Sequence, residues 1–276
     1  ESSTTRFISG LLRNQNNTWM LSNYPDLFLN NPDINRVVED SWKTVKYLEK
    51  FNKKPKLLYY GKWIGDIDRI EPPKSHIIYE IVVKSGIVGE ISLRPYWYNR
   101  SKKDFLKNKS SYICVQSTKT FSSTPMLNKQ WSEQKLQNVV DKLSKRYNVI
   151  QLGSKNEPKI NNVIDLRGST INETAKYLTY ADVFIGQVGF LMHLARAVDT
   201  RSVIIYGGRE KAWQSGYPCN QNLESDIECS PCWQNNKCDF QKRCLSNISS
   251  EMVLEAVDKL ISKLGEELEL DKITLY

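Results

Sequence analysis

The sequence has only two histidines among its 276 residues, His76 and His193, and it has no long hydrophobic run. No stretch approaches the roughly 18 consecutive apolar residues that a membrane-spanning helix needs, and its first residues lack the pattern of a signal peptide. Internal repeats and low-complexity tracts are also missing. These absences argue against a solenoid or a disordered chain, and an apolar content of 40% is enough to form globular cores.

Acidic residues are too few to balance the basic ones. The chain has 39 Lys and Arg against 31 Asp and Glu, a formal net charge of +8 and a pI near 9.0. Such an excess favours an anionic partner, which can be nucleic acid, a phosphate-bearing small molecule or an anionic membrane surface. A lysine-rich solvated surface gives the same balance, so charge alone does not choose among these classes.

The length suits two domains better than one. We predict an N-terminal domain over residues 1–105 and a C-terminal domain over residues 106–276, with the polar, lysine-rich segment 99–111 as linker. In the second domain, short apolar segments alternate with amphipathic ones, and the connections are short. This alternation predicts a mostly parallel, doubly wound α/β sheet.

Cap residues predict where several helices begin. Ser75 precedes a helical pattern, Thr170 and Glu173 have capping-box spacing, and Ser249 or Ser250 starts the closing helix. A further helix is expected at 5–14 and a strand at 55–61. One amphipathic helix should bury a face made of Leu136, Val139, Val140 and Leu143.

The segment 181–198, ADVFIGQVGFLMHLARAV, passes from a buried strand into a helix through a loop that contains Gly186 and Gly189. In open α/β sheets, ligands bind beyond the carboxyl ends of the strands, and the N–H groups at a helix N-terminus favour a phosphate. His193 lies about one turn into this helix. It is predicted to donate to a phosphate oxygen, and a core histidine bonded to a backbone carbonyl is the alternative.

Two more strand ends carry polar residues. Ser117, Thr118 and Lys119 follow the strand at YICV, and Lys129 precedes the next helix. Hydroxyls and a lysine at a helix start suit a diphosphate, whereas a solvated loop has the same composition. Arg209 follows the last clear strand, where it can meet a phosphate or an acceptor.

Five of the six cysteines lie between residues 219 and 244. Cys229, Cys232, Cys238 and Cys244 have the spacing C-x2-C-x5-C-x5-C. Such a set can hold zinc or iron, form two disulfides in an oxidising compartment, or remain reduced. We expect this cysteine cluster to hold a loop in place beside the ligand-binding cleft at the carboxyl ends of the strands. Cys114, within a strand, is predicted to be a core residue.

Several segments together are similar to the heptosyltransferase-like glycosyltransferases of family nine. NETAKYLTYADVFIGQVGFLMHLARAVDTRSVIIYGG, at 172–208, resembles their most characteristic segment, and Lys129-Gln130-Trp131 resembles their K-x-W motif. YPDLFLNNPDINRVV, at 24–38, resembles their N-terminal segment, and the CSPCW block fits a cysteine-rich subset. The resemblance covers most of the chain and is strongest from about 111 to 245.

The resemblance implies the GT-B architecture, in which two Rossmann-like, doubly wound domains face a cleft. It implies that the C-terminal domain binds a nucleotide-diphosphate sugar and that the N-terminal domain binds the acceptor. It also implies transfer with inversion and without a catalytic metal. A structural zinc or iron on the cysteines is compatible with this activity.

By position, twelve residues are implied in binding the donor. They are Ser117, Thr118, Lys119, Lys129, Glu157, Ser169, Thr170, Gln187, Gly189, Phe190, His193 and Arg209. Thr118, Lys119 and Lys129 are implied in holding the diphosphate, and Ser169 and Thr170 are implied near the nucleoside. Glu157 is implied at the ribose, and Gly189, Phe190 and His193 are implied in lining the donor pocket.

Two departures from the family pattern bear on activity. The acidic residue and the hydroxyl of the family's loop are replaced by Gln187 and Val188, a change that can select a sugar other than heptose. The family's general base is an aspartate four residues before a threonine, and Glu1 and Thr5 have that spacing. If the family's first strand precedes this sequence, Glu1 is implied as the base that takes the acceptor's proton.

The leading hypothesis is a cytoplasmic glycosyltransferase, at the inner face of the membrane if its acceptor is lipid-linked. The acceptor is expected to be a surface glycan, a lipopolysaccharide or a protein, and no nucleic-acid partner is expected. One alternative is a degenerate relative that binds a nucleotide sugar or glycan without turnover. The other is a zinc-dependent nucleic-acid binder, against which the α/β alternation argues.

Overall fold

A computed structural model describes residues 19–22, 24–28, 30–31, 34–39, 41–50, 71–86, 88–98, 111–117, 126–268 and 272–275. The predicted helix at 5–14, the predicted strand at 55–61 and most of the predicted linker lie outside these ranges. Within them, no helix combines the length and the apolar character needed to span a bilayer.

The described N-terminal part contains a parallel pair of short strands, two helices and a third strand. Its elements are β1 (Trp19–Leu21), a 3-10 helix (Pro25–Phe28), β2 (Arg36–Val38), α1 (Trp42–Lys50), α2 (Ile77–Ser85) and β3 (Gly89–Ser92). Strands β1 and β2 pair in parallel, with Met20 opposite Val37.

Helix α2 begins later than the sequence predicts, so the assignment of Ser75 as its N-cap is wrong. The cap is His76, whose Nδ1 accepts a hydrogen bond from the Ile78 N–H at 3.3 Å. Ser75 instead donates through its hydroxyl to Glu80 at 2.9 Å. The buried His76 ring also places Nε2 3.0 Å from the carbonyl oxygen of Gly216, and this bond holds the imidazole at the cap position.

The C-terminal part is built on a six-stranded parallel sheet. Its elements are β4 (Tyr112–Gln116), a 3-10 helix (Leu127–Lys129), α3 (Glu133–Leu143), β5 (Asn148–Leu152), β6 (Ile164–Asp165), α4 (Ile171–Tyr180), β7 (Val183–Gln187), α5 (Phe190–Ala197), β8 (Ser202–Gly207), α6 (Ala212–Ser215), β9 (Gln221–Glu224), α7 (Arg243–Ser246) and α8 (Ser250–Ile261). The strand order is β6-β5-β4-β7-β8-β9, which is that of a Rossmann sheet and reverses between β4 and β7. The predicted α/β, doubly wound parallel fold is confirmed.

Helices cover both faces of this sheet, as residues of β4 show. Ile113 and Val115 are fully buried in the layer that contains α3 and α8. Cys114 is fully buried in the opposite layer, with α4 and α5. Because successive side chains of a strand point to opposite faces, a strand covered on both sides is apolar throughout. Cys114 is therefore a core residue, as predicted.

The other predicted caps and the predicted buried helix face are present. Thr170 and Glu173 form a capping box, in which the Thr170 hydroxyl accepts from the Glu173 N–H at 3.2 Å and the carboxylate accepts from the Thr170 N–H at 2.8 Å. Ser249 caps α8 by accepting from the Met252 N–H at 3.2 Å. The face of α3 buries Leu136, Val139, Val140 and Leu143.

Two strands were not anticipated from the sequence, β9 at the sheet edge and β10 (Lys272–Leu275). Strand β10 pairs antiparallel with β3, where Ile273 lies opposite Ile91. The last strand, β10, therefore pairs with the N-terminal part of the chain, although the predicted domain boundary at residue 105 assigns it to the C-terminal domain. Arg94 links the two parts as well, because its Nη2 lies 2.8 Å from Oδ2 of Asp199.

Candidate functional site

The ends of β4 and β7 meet where the strand order reverses, which is the usual ligand position in a sheet of this order. Ser117 follows β4, and Gln187 ends β7. The Gln187 amide donates to the Ser117 carbonyl oxygen at 3.3 Å and accepts from the Trp131 N–H at 2.9 Å. All three residues are buried. Gln187 therefore fixes the relative positions of two strand ends and the start of α3, and its predicted contact with the donor sugar stays a prediction.

Helix α5 begins directly beyond this junction. Its N-cap is Gly189, which has no side chain to cap the first N–H groups, and among the described residues no atom lies within 4 Å of a Cβ built at Gly189. Phe190 follows and is 39% exposed. An N-terminus with open space in front of it can receive an anion, because its N–H groups and the positive end of the helix dipole face the same way.

His193 lies in the first turns of α5 and is held by a tyrosine. Its Nδ1 lies 2.6 Å from the hydroxyl of Tyr217. Burial, the largest cause, lowers the pKa of His193 to about 4, and the neighbouring His76 and Lys129 act in the same direction, against the carboxylate of Glu210. The ring is therefore neutral near pH 7.

Lys129 and Arg209 share one buried carboxylate, that of Glu210. Lys129 Nζ lies 2.6 Å from Glu210 Oε1, and Arg209 Nη1 lies 3.0 Å from the same oxygen. Ser215 donates to the second oxygen at 3.1 Å. Burial raises the pKa of Glu210, but the two cations and the hydrogen bonds outweigh burial and lower this pKa to about 2. Two cations around one carboxylate favour an additional anion.

Arg209 is further fixed by the segment that carries the cysteines. Its Nε and Nη2 donate to Oδ1 of Asn235 at 3.1 and 2.9 Å. The guanidinium lies 4.7 Å from the ring centroid of Trp233, and Trp233 Nε1 donates to Gln214 at 3.1 Å. A cation stacked on an aromatic face and bonded on three nitrogens is held in one orientation.

The same segment braces the 3-10 helix that carries Lys129. Asn128 donates through Nδ2 to the carbonyl oxygens of Gln234 and Lys237, at 3.1 and 2.7 Å. Lys242 Nζ donates to the carbonyl oxygen of Leu127 at 2.7 Å. The position of Lys129 therefore depends on residues about one hundred positions further along the chain.

All six cysteines are free thiols in the structure. Burial, the largest cause, raises the pKa of the Cys232 and Cys244 thiols, and the neighbouring Cys229 acts in the same direction. A Cβ at Gly208 would lie 2.8 Å from Cβ of Cys244, so this glycine permits the close approach of the cysteine segment. In the ranges that the structure describes, no three potential ligands are grouped as a metal site. The predicted metal on the cysteines stays a prediction.

The residues implied at the nucleoside lie beyond β5 and β6. Glu157 is buried, and its carboxylate packs against the backbone of Gly153, which has a φ of +132°. Ser169 donates to the Leu166 carbonyl oxygen at 2.7 Å, and Thr170 is the cap of α4. These side chains have local structural partners, and their contact with a nucleoside is not tested.

Three predicted site residues, Glu1, Thr118 and Lys119, lie outside the described residues. Sequence reasoning gave no role to Tyr217 or to Glu210. The position of Glu210 could have indicated a role in the site, because it follows Arg209 just beyond the end of β8. Tyr217 carries no such signal, because it lies 24 residues from its partner His193.

A family model described as glycosyltransferase family 9 (heptosyltransferase) matches residues 87–244, more than half of the chain. This protein belongs to glycosyltransferase family 9. The match includes every donor-site residue predicted from the sequence and all four cysteines of the cluster. The predicted enzyme class, a glycosyltransferase, is that of the family, and no curated protein matches the sequence.

Solved structures of the family share the fold. One is the structure of TibC, a dodecameric iron-containing heptosyltransferase in complex with ADP-D-beta-D-heptose. It matches with a TM-score of 0.63 at 21% identity, and the match covers 90% of this chain and 70% of the TibC chain. Another structure of TibC, from enterotoxigenic E. coli H10407, has a TM-score of 0.50 at 20% identity; 62% of this chain matches only 50% of that one. A family 9 glycosyltransferase from Veillonella parvula DSM 2008 matches with a TM-score of 0.57 at 12% identity, and the match covers 86% of this chain and 85% of that one. At these identities, the likeness establishes the GT-B type of fold.

Proposed function

We propose that this glycosyltransferase moves a sugar from a nucleotide-diphosphate donor to a hydroxyl group of an acceptor. The observations that carry the proposal are the two cations, Lys129 and Arg209, on the buried Glu210, and His193 in the first turns of α5, whose N-cap Gly189 has no capping side chain. All lie at or beyond the carboxyl ends of parallel strands and within the family match. ADP-heptose is the first donor to test, since TibC, which shares the fold, is described with ADP-D-beta-D-heptose bound.

The proposed reaction inverts the sugar and uses no catalytic metal. The acceptor oxygen attacks the anomeric carbon as the bond from that carbon to the diphosphate breaks on the opposite side. Glu1 takes the acceptor's proton, a role that rests on its spacing from Thr5. Lys129, His193 and the N–H groups of α5 stabilise the charge that develops on the departing diphosphate. Thr118 and Lys119 are proposed to join them, from outside the described residues.

The loop at the end of β7 bears on the identity of the donor sugar. The amide of Gln187 is hydrogen-bonded to Ser117 and Trp131, and Val188 has no polar group. A site without the acidic residue of the family's loop supports acceptance of a sugar other than heptose. Proposed acceptors are a surface glycan, a lipopolysaccharide or a protein, reached in the cytoplasm or at the inner face of a membrane.

We also propose a structural zinc or iron held by Cys229, Cys232, Cys238 and Cys244. Four thiols with one C-x2-C pair are a suitable donor set for either metal, and TibC is described as iron-containing. A bound metal would cross-link the segment that braces Lys129 and Arg209. Metal analysis of the purified protein tests this: about one metal ion per chain, lost in Cys232→Ser, supports the proposal, and a metal-free wild type contradicts it.

A thermal-shift screen with ADP, GDP, UDP, CMP and their common sugars tests the donor site. Selective stabilisation by one nucleotide is expected, about 2.7 kcal/mol at a hundredfold excess over Kd. Lys129→Ala and His193→Ala should abolish it. Lys142→Ala is the matched control, because Lys142 pairs with Glu251 on the surface. No shift with any nucleotide would overturn the donor site.

A degenerate relative that binds a nucleotide sugar without turnover is the second candidate, favoured by the engaged amide of Gln187. A turnover assay with the nucleotide sugar that stabilises the protein separates the two. Product formed by the wild type and lost in Glu1→Gln supports the transferase. Binding without product, over a panel of glycan and lipid-linked acceptors, supports the degenerate binder.

A further inference from the structure

The contact between Tyr217 and His193 has a consequence for which nitrogen of the imidazole carries the proton. The hydroxyl lies 2.6 Å from Nδ1, and the two rings meet edge-on at 84° with centroids 5.8 Å apart. Tyr217 is only 2% exposed, so water does not compete for its hydroxyl group. The distance is within the range of a good hydrogen bond to an O–H group.

The hydroxyl is the donor in this bond. Burial, the largest cause, raises the pKa of Tyr217 well above its usual range, so the hydroxyl keeps its proton. Across the described part of the chain, Nδ1 of His193 is the one acceptor bonded to this hydroxyl. If Nδ1 carried a proton and donated, the buried hydroxyl proton would have no acceptor, an arrangement that folded proteins avoid.

A neutral imidazole has one N–H group, so its tautomer decides what the other nitrogen presents to a ligand. Burial keeps His193 neutral, with a pKa of about 4. The ring lies in the first turns of α5, the helix whose N-terminus is part of the proposed diphosphate site. With Nδ1 accepting from Tyr217, the proton lies on Nε2. With the opposite tautomer, a nitrogen lone pair on Nε2 would repel a phosphate oxygen.

We propose that Tyr217 is a positioning residue that fixes His193 as the Nε2–H tautomer, so that a neutral ring presents an N–H donor to the diphosphate of the sugar nucleotide. The proposal rests on the proposed function for its ligand and on the geometry of the pair for its tautomer. A neutral donor of this kind suits the N-terminus of a helix, where a protonated imidazole is disfavoured.

Nitrogen NMR of the imidazole rings tests the tautomer without any ligand. Because the chain has only two histidines, the signals that vanish in His193→Gln identify this ring. Wild-type His193 should show a protonated Nε2 and an unprotonated Nδ1. In Tyr217→Phe, the second tautomer should become populated, and ADP should bind about tenfold more weakly, the effect of one net hydrogen bond.

Tyr112→Phe is the matched control. Its hydroxyl donates to the Tyr177 carbonyl oxygen at 2.8 Å, at the amino end of β4, so its loss should change neither the His193 spectrum nor ADP binding. A protonated Nδ1 in the wild type, or an unchanged spectrum in Tyr217→Phe, overturns the tautomer assignment. A changed tautomer with unchanged ADP affinity overturns the role in binding. Failure of the wild type to bind ADP or any other nucleotide overturns the proposed function, and the spectra still decide the tautomer.

Discussion

Replacing Glu210 by glutamine removes the negative charge between Lys129 and Arg209 and keeps the shape of the side chain. The amide oxygen can still accept from the cations that now contact Oε1, at 2.6 and 3.0 Å, and the amide nitrogen can donate to Ser215. What is lost is therefore the charge. Two buried cations then face each other without a carboxylate, and we expect the folded state to become much less stable.

Two routes give the same magnitude for this loss. The pKa of Glu210 falls from 4.5 to about 2 on folding, which at 1.36 kcal/mol per pKa unit corresponds to about 3 kcal/mol. Breaking a buried ion pair by removing one partner costs about 3–5 kcal/mol. Because the folded-state pKa is depressed, the contribution is complete above pH 4.5 and disappears as the pH falls toward 2.

Urea denaturation at pH 7, followed by tryptophan fluorescence, measures the effect. Glu210→Gln should lower the free energy of unfolding by about 3 kcal/mol with an unchanged m-value, and it should lose less stability than the wild type between pH 4.5 and 2. Glu251→Gln is the matched control, since Glu251 pairs with Lys142 at 3.3 Å on the surface and an exposed pair contributes little. If both variants unfold like the wild type, the carboxylate does not hold the two cations, and the account of the site is refuted.

Three further predictions concern single side chains. Gly208→Ala should cost about 1–3 kcal/mol in urea denaturation, because the new Cβ would lie 2.8 Å from Cβ of Cys244. Thr170→Ala should cost about 1 kcal/mol in the same assay, because it removes the capping box shared with Glu173, whereas Thr170→Ser should restore it. Wild-type stability should fall as the pH drops from 6.5 to 4, since the folded-state pKa of His193 is lowered to about 4 and the unfolded chain takes up the proton first. His193→Gln should flatten this part of the pH profile, and a profile unchanged by the substitution would show that another group titrates there.

Local signals in the sequence predicted the features that depend on neighbours in the chain. The alternation of apolar segments predicted the parallel sheet, and the capping box at Thr170 and the cap at Ser249 are set by residues three positions apart. Helix α2 differs, because its cap is decided by a tertiary contact. His76 reaches the carbonyl oxygen of Gly216, 140 residues away, and no local pattern of residues contains that bond.

The candidate site was predictable in position but not in its internal bonding. Strand ends and helix starts indicated where Lys129, His193 and Arg209 would lie. Their partners come from elsewhere in the chain: Asn235 is 26 residues from Arg209, and Tyr217 is 24 residues from His193. Pairs of this kind follow from the packing of loops against the sheet, for which a single sequence has no periodic signal.

The role of Gln187 could not be predicted from its residue type alone. An amide at the end of a strand can bond to a sugar hydroxyl group or to the backbone, and both uses suit the same chemistry. In the structure, the amide joins Ser117 and the start of α3. A glutamine bound in this way holds the ends of β4 and β7 and the start of α3 together, and its contact with the donor sugar stays a prediction.

The cysteine segment and the residues proposed to bind the donor pack against each other. Trp233 lies under Arg209, and Gln214 accepts from Trp233 Nε1 and donates to the Pro73 carbonyl oxygen, each at 3.1 Å. Helix α6 thus connects the cysteine segment to the N-terminal part of the chain. Because the same segment also holds the backbone before Lys129 through Asn128, any constraint on the cysteines acts on two of the cations proposed to bind the diphosphate. A metal there is expected to act on these residues by fixing their positions.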